Sequence, residues 1–196
     1  MFSEHQTAIG AYARSNPDNC IRVLDFVHQT IRTPFYMVGF RMEDIERKGL
    51  DSVYLKNATK RKAFKGLRVI KTQLYEDIFS DDMSTEEKLL ILSGTPGLGI
   101  AKSGFALQLC IGKSGCLDVH NLRRFNIDEN TFKLRDNTKY DTALNKARLY
   151  TETIKKLGGT EKLWNDWCKL IAHLYPKHYD NASHVSRLHV DFILKV

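Results

Sequence analysis

The sequence predicts an all-α protein, and two observations support that prediction. Apolar residues recur at intervals of three and four along most of the chain, which is typical of amphipathic helices. Residues that start helices precede these runs, and proline or glycine follows them. We find no convincing alternation of apolar and polar residues that would predict a strand, and no internal repeat. With 196 residues the chain is long enough for one domain, 1–196, either compact or built as two lobes that share a cleft.

The helical segments follow one another with clear boundaries. The first begins near Asn19 and stops before Pro34, because proline disfavours a helical conformation in the residue before it. The second ends near Gly49, and a later one is closed by Gly158-Gly159. Outside the central motif, helices are predicted over about 20–33, 35–47, 53–79, 138–157 and 160–174. The first three form a helical lobe over about 20–80.

The most informative segment is a helix, a glycine hairpin and a second helix within 84–125. A capping box at Ser84-Thr85-Glu86-Glu87 starts the first helix, and the second begins at Ile100. Between them, Pro96-Gly97-Leu98-Gly99 forms the hairpin. Glycines let consecutive backbone N–H groups point outward at the start of a helix, where the helix dipole favours an anion. Gly97, Leu98 and Gly99 are therefore candidates for binding one DNA phosphate, without reading the sequence.

This segment resembles the helix-hairpin-helix DNA glycosylases, the superfamily of endonuclease III, the adenine glycosylase for mispairs and the 8-oxoguanine glycosylases. The family pattern is Leu-Pro-Gly-Val-Gly, a helix, and then an aspartate in a Val-Asp-x-His context. Here the chain has Thr95-Pro96-Gly97-Leu98-Gly99, a helix, and Leu117-Asp118-Val119-His120. The resemblance covers about a fifth of the chain. It implies a two-lobed all-α fold that binds duplex DNA, extrudes a nucleotide into a cleft and cleaves its N-glycosidic bond.

Asp118 is the catalytic candidate that the resemblance implies. A carboxylate beside the sugar stabilises the positive charge that develops when the glycosidic bond breaks, and it orients or deprotonates the nucleophile. Asp118 also suits the N-cap of a helix that follows it, and the two roles are compatible. His120 is a candidate for contacting a nucleotide phosphate, with a structural histidine as the alternative.

Lys102 is where the chain departs from the family pattern. In bifunctional members a nucleophilic lysine lies two positions after the last hairpin glycine, and that position is Ala101 here. Lys102 comes one residue later, and one helical step rotates a side chain by about 100°. We therefore expect Lys102 to contact phosphate or solvent and the enzyme to be monofunctional, with water as the nucleophile. Lys102 as catalytic nucleophile is the alternative, if a shifted hairpin restores the geometry.

The charge of the chain fits a nucleic-acid partner without proving one. Thirty Lys and Arg residues against 23 Asp and Glu residues give a net charge of +7, which attracts polyanions. A cluster of five cations within 56–65 either lines a DNA-binding cleft or forms a solvated helix face. The cluster consists of Lys56, Lys60, Arg61, Lys62 and Lys65. The same two interpretations apply to Arg123 and Arg124.

Several residues are weaker candidates for the pocket. Gln108 lies on the second helix of the motif and either reaches the pocket or is exposed. A base stack or wedge, as base flipping requires, is available from Phe35, Tyr36, Phe40, Trp164 or Trp167. Four scattered cysteines match no metal spacing, so we expect no iron–sulfur cluster, no metal and no cofactor.

Two alternatives to a glycosylase remain open. The first, again by resemblance, is a phage thymine-hypermodifying pyrophosphorylase or amine transferase of the same fold. The second is a helix-hairpin-helix DNA-binding protein without catalysis. Because the chain has no apolar stretch that could span a bilayer or act as a signal peptide, we expect a cytoplasmic protein that does not bind membranes. We expect it to act as a monomer.

Overall fold

The computed structural model describes residues 2–135 and 137–195, and in these ranges it contains eleven α-helices and no β-strand. The all-α prediction is therefore confirmed. The helices are α1 (Phe2–Ser15), α2 (Pro17–Gln29), α3 (Val38–Lys48), α4 (Ala58–Val69), α5 (Lys71–Phe79), α6 (Thr85–Ser93), α7 (Ile100–Ile111), α8 (Val119–Arg124), α9 (Tyr140–Lys156), α10 (Gly159–Leu174) and α11 (Ala182–Leu194). Short 3₁₀ turns at Phe35–Met37, Gly49–Asp51 and Val53–Leu55 flank α3.

The predicted signals at the helix ends are mostly present. The Ser84 side chain accepts from the backbone N–H of Glu87, whose carboxylate accepts from the N–H of Ser84 in return, as a capping box requires. At the end of α3, Gly49 takes a positive φ of 56°. Helices α9 and α10 lie within about two residues of their predicted bounds.

The single helix predicted over 53–79 is wrong, because the chain leaves the helical conformation at Ile70, with φ −107° and ψ 17°. The two helices that replace it, α4 and α5, each form an ion pair with α2. On one side of the break, Arg68 Nη2 lies 2.6 Å from Asp25 Oδ2. On the other side, Lys71 Nζ lies 2.6 Å from Asp18 Oδ1. Helices α1 and α11 were not predicted.

The main core is built around α2 and α7. Nine of the thirteen residues of α2 are buried, and α7 is buried without interruption from Ser103 to Cys110. Helices α1, α5 and α6 pack against this pair, and α11 packs against α1 and α10. A smaller core of Ile45, Leu55 and Phe64 lies between α3 and α4. The division into two lobes stays a prediction.

No helix in the described ranges combines the length and apolar character needed to cross a membrane.

Candidate functional site

The glycine hairpin connects α6 to α7 and is exposed at both of its glycines. Gly97 has a φ of +85°, and a Cβ there would lie 2.5 Å from Cε1 of His28. Gly97 therefore cannot be replaced without strain, since both its conformation and its contact with α2 exclude a side chain. Gly99 differs, because its φ is −86° and a Cβ there would meet open space.

Free N–H groups point out of the hairpin at the start of α7. The N–H groups of Lys102 and Ser103 both donate to the carbonyl of Gly99, at 3.0 Å. Those of Ile100 and Ala101 have no acceptor among the residues that the structure describes. Free donors at a helix N-terminus favour an anion. Leu98 is different, because its side chain is buried and its N–H donates to Thr95, so this residue anchors the hairpin.

A cavity of about 440 Å³ lies between the 30–35 segment, α7, the start of α8 and α10, and the first residue of α7 that lines it is Lys102. Lys102, Asp118 and His120 all line it. Five aromatic residues are among those that line it: Phe35, Phe105, Trp164, Trp167 and Tyr175. Its size is in the range of small-molecule sites, and aromatic faces are the surfaces on which nucleobases stack.

Asp118 is the N-cap of α8, and its Oδ1 accepts from the N–H of Asn121 at 3.2 Å. The capping role weighed from the sequence is thus present, in a residue that also lines the cavity. Asn121 in turn donates from Nδ2 to the carbonyl of Cys116 at 2.7 Å. With these two hydrogen bonds, both donated by Asn121, the turn before α8 is closed and the Asp118 carboxylate is held in one direction.

The loop before Asp118 is hydrogen-bonded to Tyr150, a fully buried residue of α9. Its hydroxyl donates to the carbonyl of Gly115 at 2.7 Å and accepts from the N–H of Leu117 at 2.9 Å. The loop lies so close to α7 that a Cβ on Gly104 would collide with the Gly115 carbonyl oxygen. Sequence reasoning missed this support, since nothing in the spacing of residues 104, 115 and 150 connects them.

Lys102 is half-buried and points towards the pocket, while its expected contact with phosphate or solvent stays a prediction. It lines the cavity, with Nζ 4.0 Å from Sγ of Cys116 and 5.5 Å from the ring centre of Phe105. The reason is the length of the side chain, because four methylenes bridge the difference in direction between positions 101 and 102. Among the described residues, no carboxylate lies within 4.0 Å of this amine, including that of Asp118.

The thiol of Cys116 is not a competing nucleophile. Burial raises its pKa to about 11, the nearby Lys102 acting in the opposite direction. Cys116 is therefore protonated at neutral pH, and the thiolate is the reactive form of cysteine. The amine of Lys102, the carboxylate of Asp118 and the imidazole of His120 remain as the candidate reactive groups of the cavity lining.

The other sequence candidates divide into those at the cavity and those outside it. His120 is exposed and lies at the cavity edge, while Gln108 lines the wall and donates to the carbonyl of Thr160 at 3.0 Å. Tyr36 and Phe40 do not line the cavity. Tyr36 stacks on His178 with ring centres 4.2 Å apart, and the side chain of Phe40 is exposed.

The two arginines after Asp118 are paired with acids. Arg123 Nε lies 2.7 Å from Glu129 Oε1, and Arg124 Nη2 lies 3.4 Å from Asp166 Oδ2. These ion pairs favour a role in which the two arginines connect α8 to Glu129 and Asp166 over a role in binding phosphate.

Behind the aromatic wall lies His189, which no sequence pattern singled out. Its ring centre is 4.4 Å from that of Trp164 and 4.6 Å from that of Phe35. Nδ1 lies 3.0 Å from the carbonyl of Val185, and Nε2 has no partner among the described residues. Burial lowers the pKa of this ring to about 3, so His189 is neutral at physiological pH.

No family model, no curated protein and no solved structure matches this chain. What the protein does must therefore be inferred from its own residues and from the motif described above.

Proposed function

We propose that the chain is a DNA glycosylase, which flips a damaged or modified base from duplex DNA into the cavity and cleaves its N-glycosidic bond. One observation carries the proposal: Asp118 and Lys102 line the same cavity, and Lys102 lies three residues after the last glycine of the hairpin. The hairpin supplies donors for a phosphate, the aromatic wall supplies stacking surfaces for a base, and Asp118 supplies a charge opposite the sugar.

Asp118 acts on the sugar in this proposal. As the C1′–N bond breaks, its electron pair leaves with the base, and positive charge develops on C1′ and the ring oxygen of the sugar. A fixed carboxylate next to that charge lowers the barrier, because it needs no reorganisation at the moment of reaction. The N-cap bond to Asn121 and the Asn121–Cys116 bond provide this fixed orientation.

The position of Lys102 bears on which group acts as the nucleophile. An amine in the cavity supports a route in which Nζ, after losing a proton to solvent, attacks C1′ and forms a C–N bond while the C1′–N bond breaks and its electron pair leaves with the base. The C1′–O4′ bond then breaks, a proton passes from Nζ to O4′, and the opened sugar is held as a protonated imine. This departs from the water nucleophile that we expected from the sequence. The contact of Lys102 with Cys116 and Phe105 keeps the amine on the cavity side of α7.

A panel of duplexes carrying damaged or modified bases tests the proposal. Released base and cut strands are measured by mass analysis after alkali treatment, and borohydride is added in parallel to trap an imine. We expect base release that Asp118→Asn abolishes, and a trapped adduct that Lys102→Ala abolishes. Base release without an adduct would restore water as the nucleophile. A nucleoside of altered mass without base release, or DNA binding with neither, would refute a glycosylase.

A further inference from the structure

The positive charge of the chain is concentrated in one segment. Residues 52–75 contain seven Lys and Arg residues and no Asp or Glu, which equals the whole net charge of +7. Two of the seven, Arg68 and Lys71, are paired with carboxylates of α2. The other five have no carboxylate within 4.0 Å among the residues that the structure describes. They are Lys56, Lys60, Arg61, Lys62 and Lys65.

Helix α4, which carries four of these cations, packs directly against the glycine hairpin. A Cβ on Gly97 would lie 3.2 Å from that of Ala63, and a Cβ on Gly66 would lie 3.8 Å from Cγ of Pro96. Small residues at both positions of α4 allow this close approach. Lys62 and Lys65 each precede one of the two contact residues, so they lie beside the hairpin-facing side of α4 and are exposed.

Lys60 connects this helix to the cavity. It lies on the other flank of the hairpin-facing side, and its Nζ donates to the carbonyl of Ile31 at 3.4 Å. Ile31 is part of the segment that lines the cavity. The hairpin, α4 and the cavity edge are therefore neighbours on one side of the molecule.

We propose that α4 is a second phosphate-binding element, which together with the hairpin holds the DNA strand whose nucleotide enters the cavity. This inference rests on the proposed function and adds the cations that flank the hairpin: Lys62 and Lys65 on one flank of the hairpin-facing side of α4, and Lys60 on the other flank, at the cavity edge. Phosphates follow one another at regular intervals along a DNA strand, so a strand bound by the hairpin amides also brings neighbouring phosphates to the unpaired cations beside them. The charge of α4 supplies most of the salt dependence of binding.

The test compares two variants that lose the same charge. One is the double variant Lys62→Ala, Lys65→Ala on α4, and the control is Lys155→Ala, Lys156→Ala on α9, which packs against α6 and α10. All four side chains are exposed, so neither variant removes a buried contact. Affinity for an undamaged duplex is measured by fluorescence anisotropy from 50 to 300 mM salt, together with binding to anionic phosphatidylserine vesicles.

We expect the α4 variant to bind duplex about tenfold or more weakly at ~0.1 M salt, with a log–log salt slope smaller by about two, since each lost phosphate contact removes about 0.9 from the slope. The control keeps the affinity and slope of the unaltered protein. Equal slopes for the two variants would overturn the inference about α4 and leave base release unaffected. Loss of vesicle binding without loss of duplex binding would also overturn it. Failure of the unaltered protein to bind duplex at all would overturn the proposed function as well.

Discussion

Two buried histidines make the fold sensitive to acid. Burial lowers the pKa of His28 to about 4, with a smaller contribution from Lys60, and that of His189 to about 3. The ordinary value in an unfolded chain is about 6.5. Below that pH the unfolded chain binds protons that the native state does not, so the free energy of unfolding falls as pH decreases towards the lowered pKa values. Above pH 6.5 neither ring contributes to the pH dependence.

The size of the effect follows from these pKa values. At pH 5 an unfolded-state histidine is almost fully protonated, while both native rings stay mostly neutral. Each ring therefore costs about 2 kcal/mol of stability relative to pH 7.5. Together they remove about 4 kcal/mol, a large part of the 5–15 kcal/mol that holds a typical domain folded.

The assay is urea unfolding at pH 7.5 and at pH 5 for the unaltered chain and two variants. His189→Phe places a neutral ring among the aromatic neighbours of His189, and His173→Phe makes the same change at an exposed residue of α10. Between pH 7.5 and pH 5, we expect the free energy of unfolding of His189→Phe to fall by about 2 kcal/mol less than that of the unaltered chain. The reason is that the unfolded variant has one fewer histidine that binds a proton. His173→Phe should match the unaltered chain. If His189→Phe loses as much stability on acidification as the unaltered chain, the pKa argument for this ring is refuted.

Four further predictions concern the site. Asp118→Asn keeps the N-cap but removes the charge, so base release should fall by orders of magnitude in single-turnover assays while duplex affinity and thermal stability persist; a loss of stability instead would make capping its main role. Tyr150→Phe leaves the buried N–H of Leu117 without an acceptor and should lower the free energy of unfolding in urea by about 1–3 kcal/mol. An unchanged unfolding midpoint would contradict the view that Tyr150 holds the loop before Asp118 in place. Gly99→Ala should leave the unfolding midpoint nearly unchanged and weaken duplex binding in the anisotropy assay, because its Cβ occupies only the space that a phosphate would need. Gly104→Ala should lower the midpoint, since its Cβ meets the Gly115 carbonyl, and tolerance of this change would show that the loop can move away.

The sequence predicted the elements that local signals define. The capping box at Ser84, the glycine at position 49 and the hairpin glycines each act within a few residues, so they could be read from the chain. The break at Ile70 could not, because no proline or glycine marks it. It accompanies two ion pairs to α2, which depend on tertiary packing.

The candidate site was predictable only in part, for similar reasons. The motif singled out Asp118, which lines the cavity, and its catalytic role stays a prediction. The direction of Lys102 depends on a flexible side chain rather than on helix geometry. Trp164 and Trp167 lie three apart on an amphipathic helix, a spacing that fits a core stripe as well as a cavity wall. Tyr150 and His189 act through contacts across the fold, for which the sequence carries no local signal.

The support of the Asp118 loop by Tyr150 also has a consequence for synthesis of the protein. The hairpin and α4 are complete once residue 111 has been made, whereas the loop gains its two hydrogen bonds only when α9 is present, and α10 then supplies the tryptophan wall. A chain still attached to the ribosome thus presents its basic surface well before it can form the cavity. Any truncation between α8 and α9 should therefore produce a fragment whose surface still attracts polyanions but which has no formed cavity.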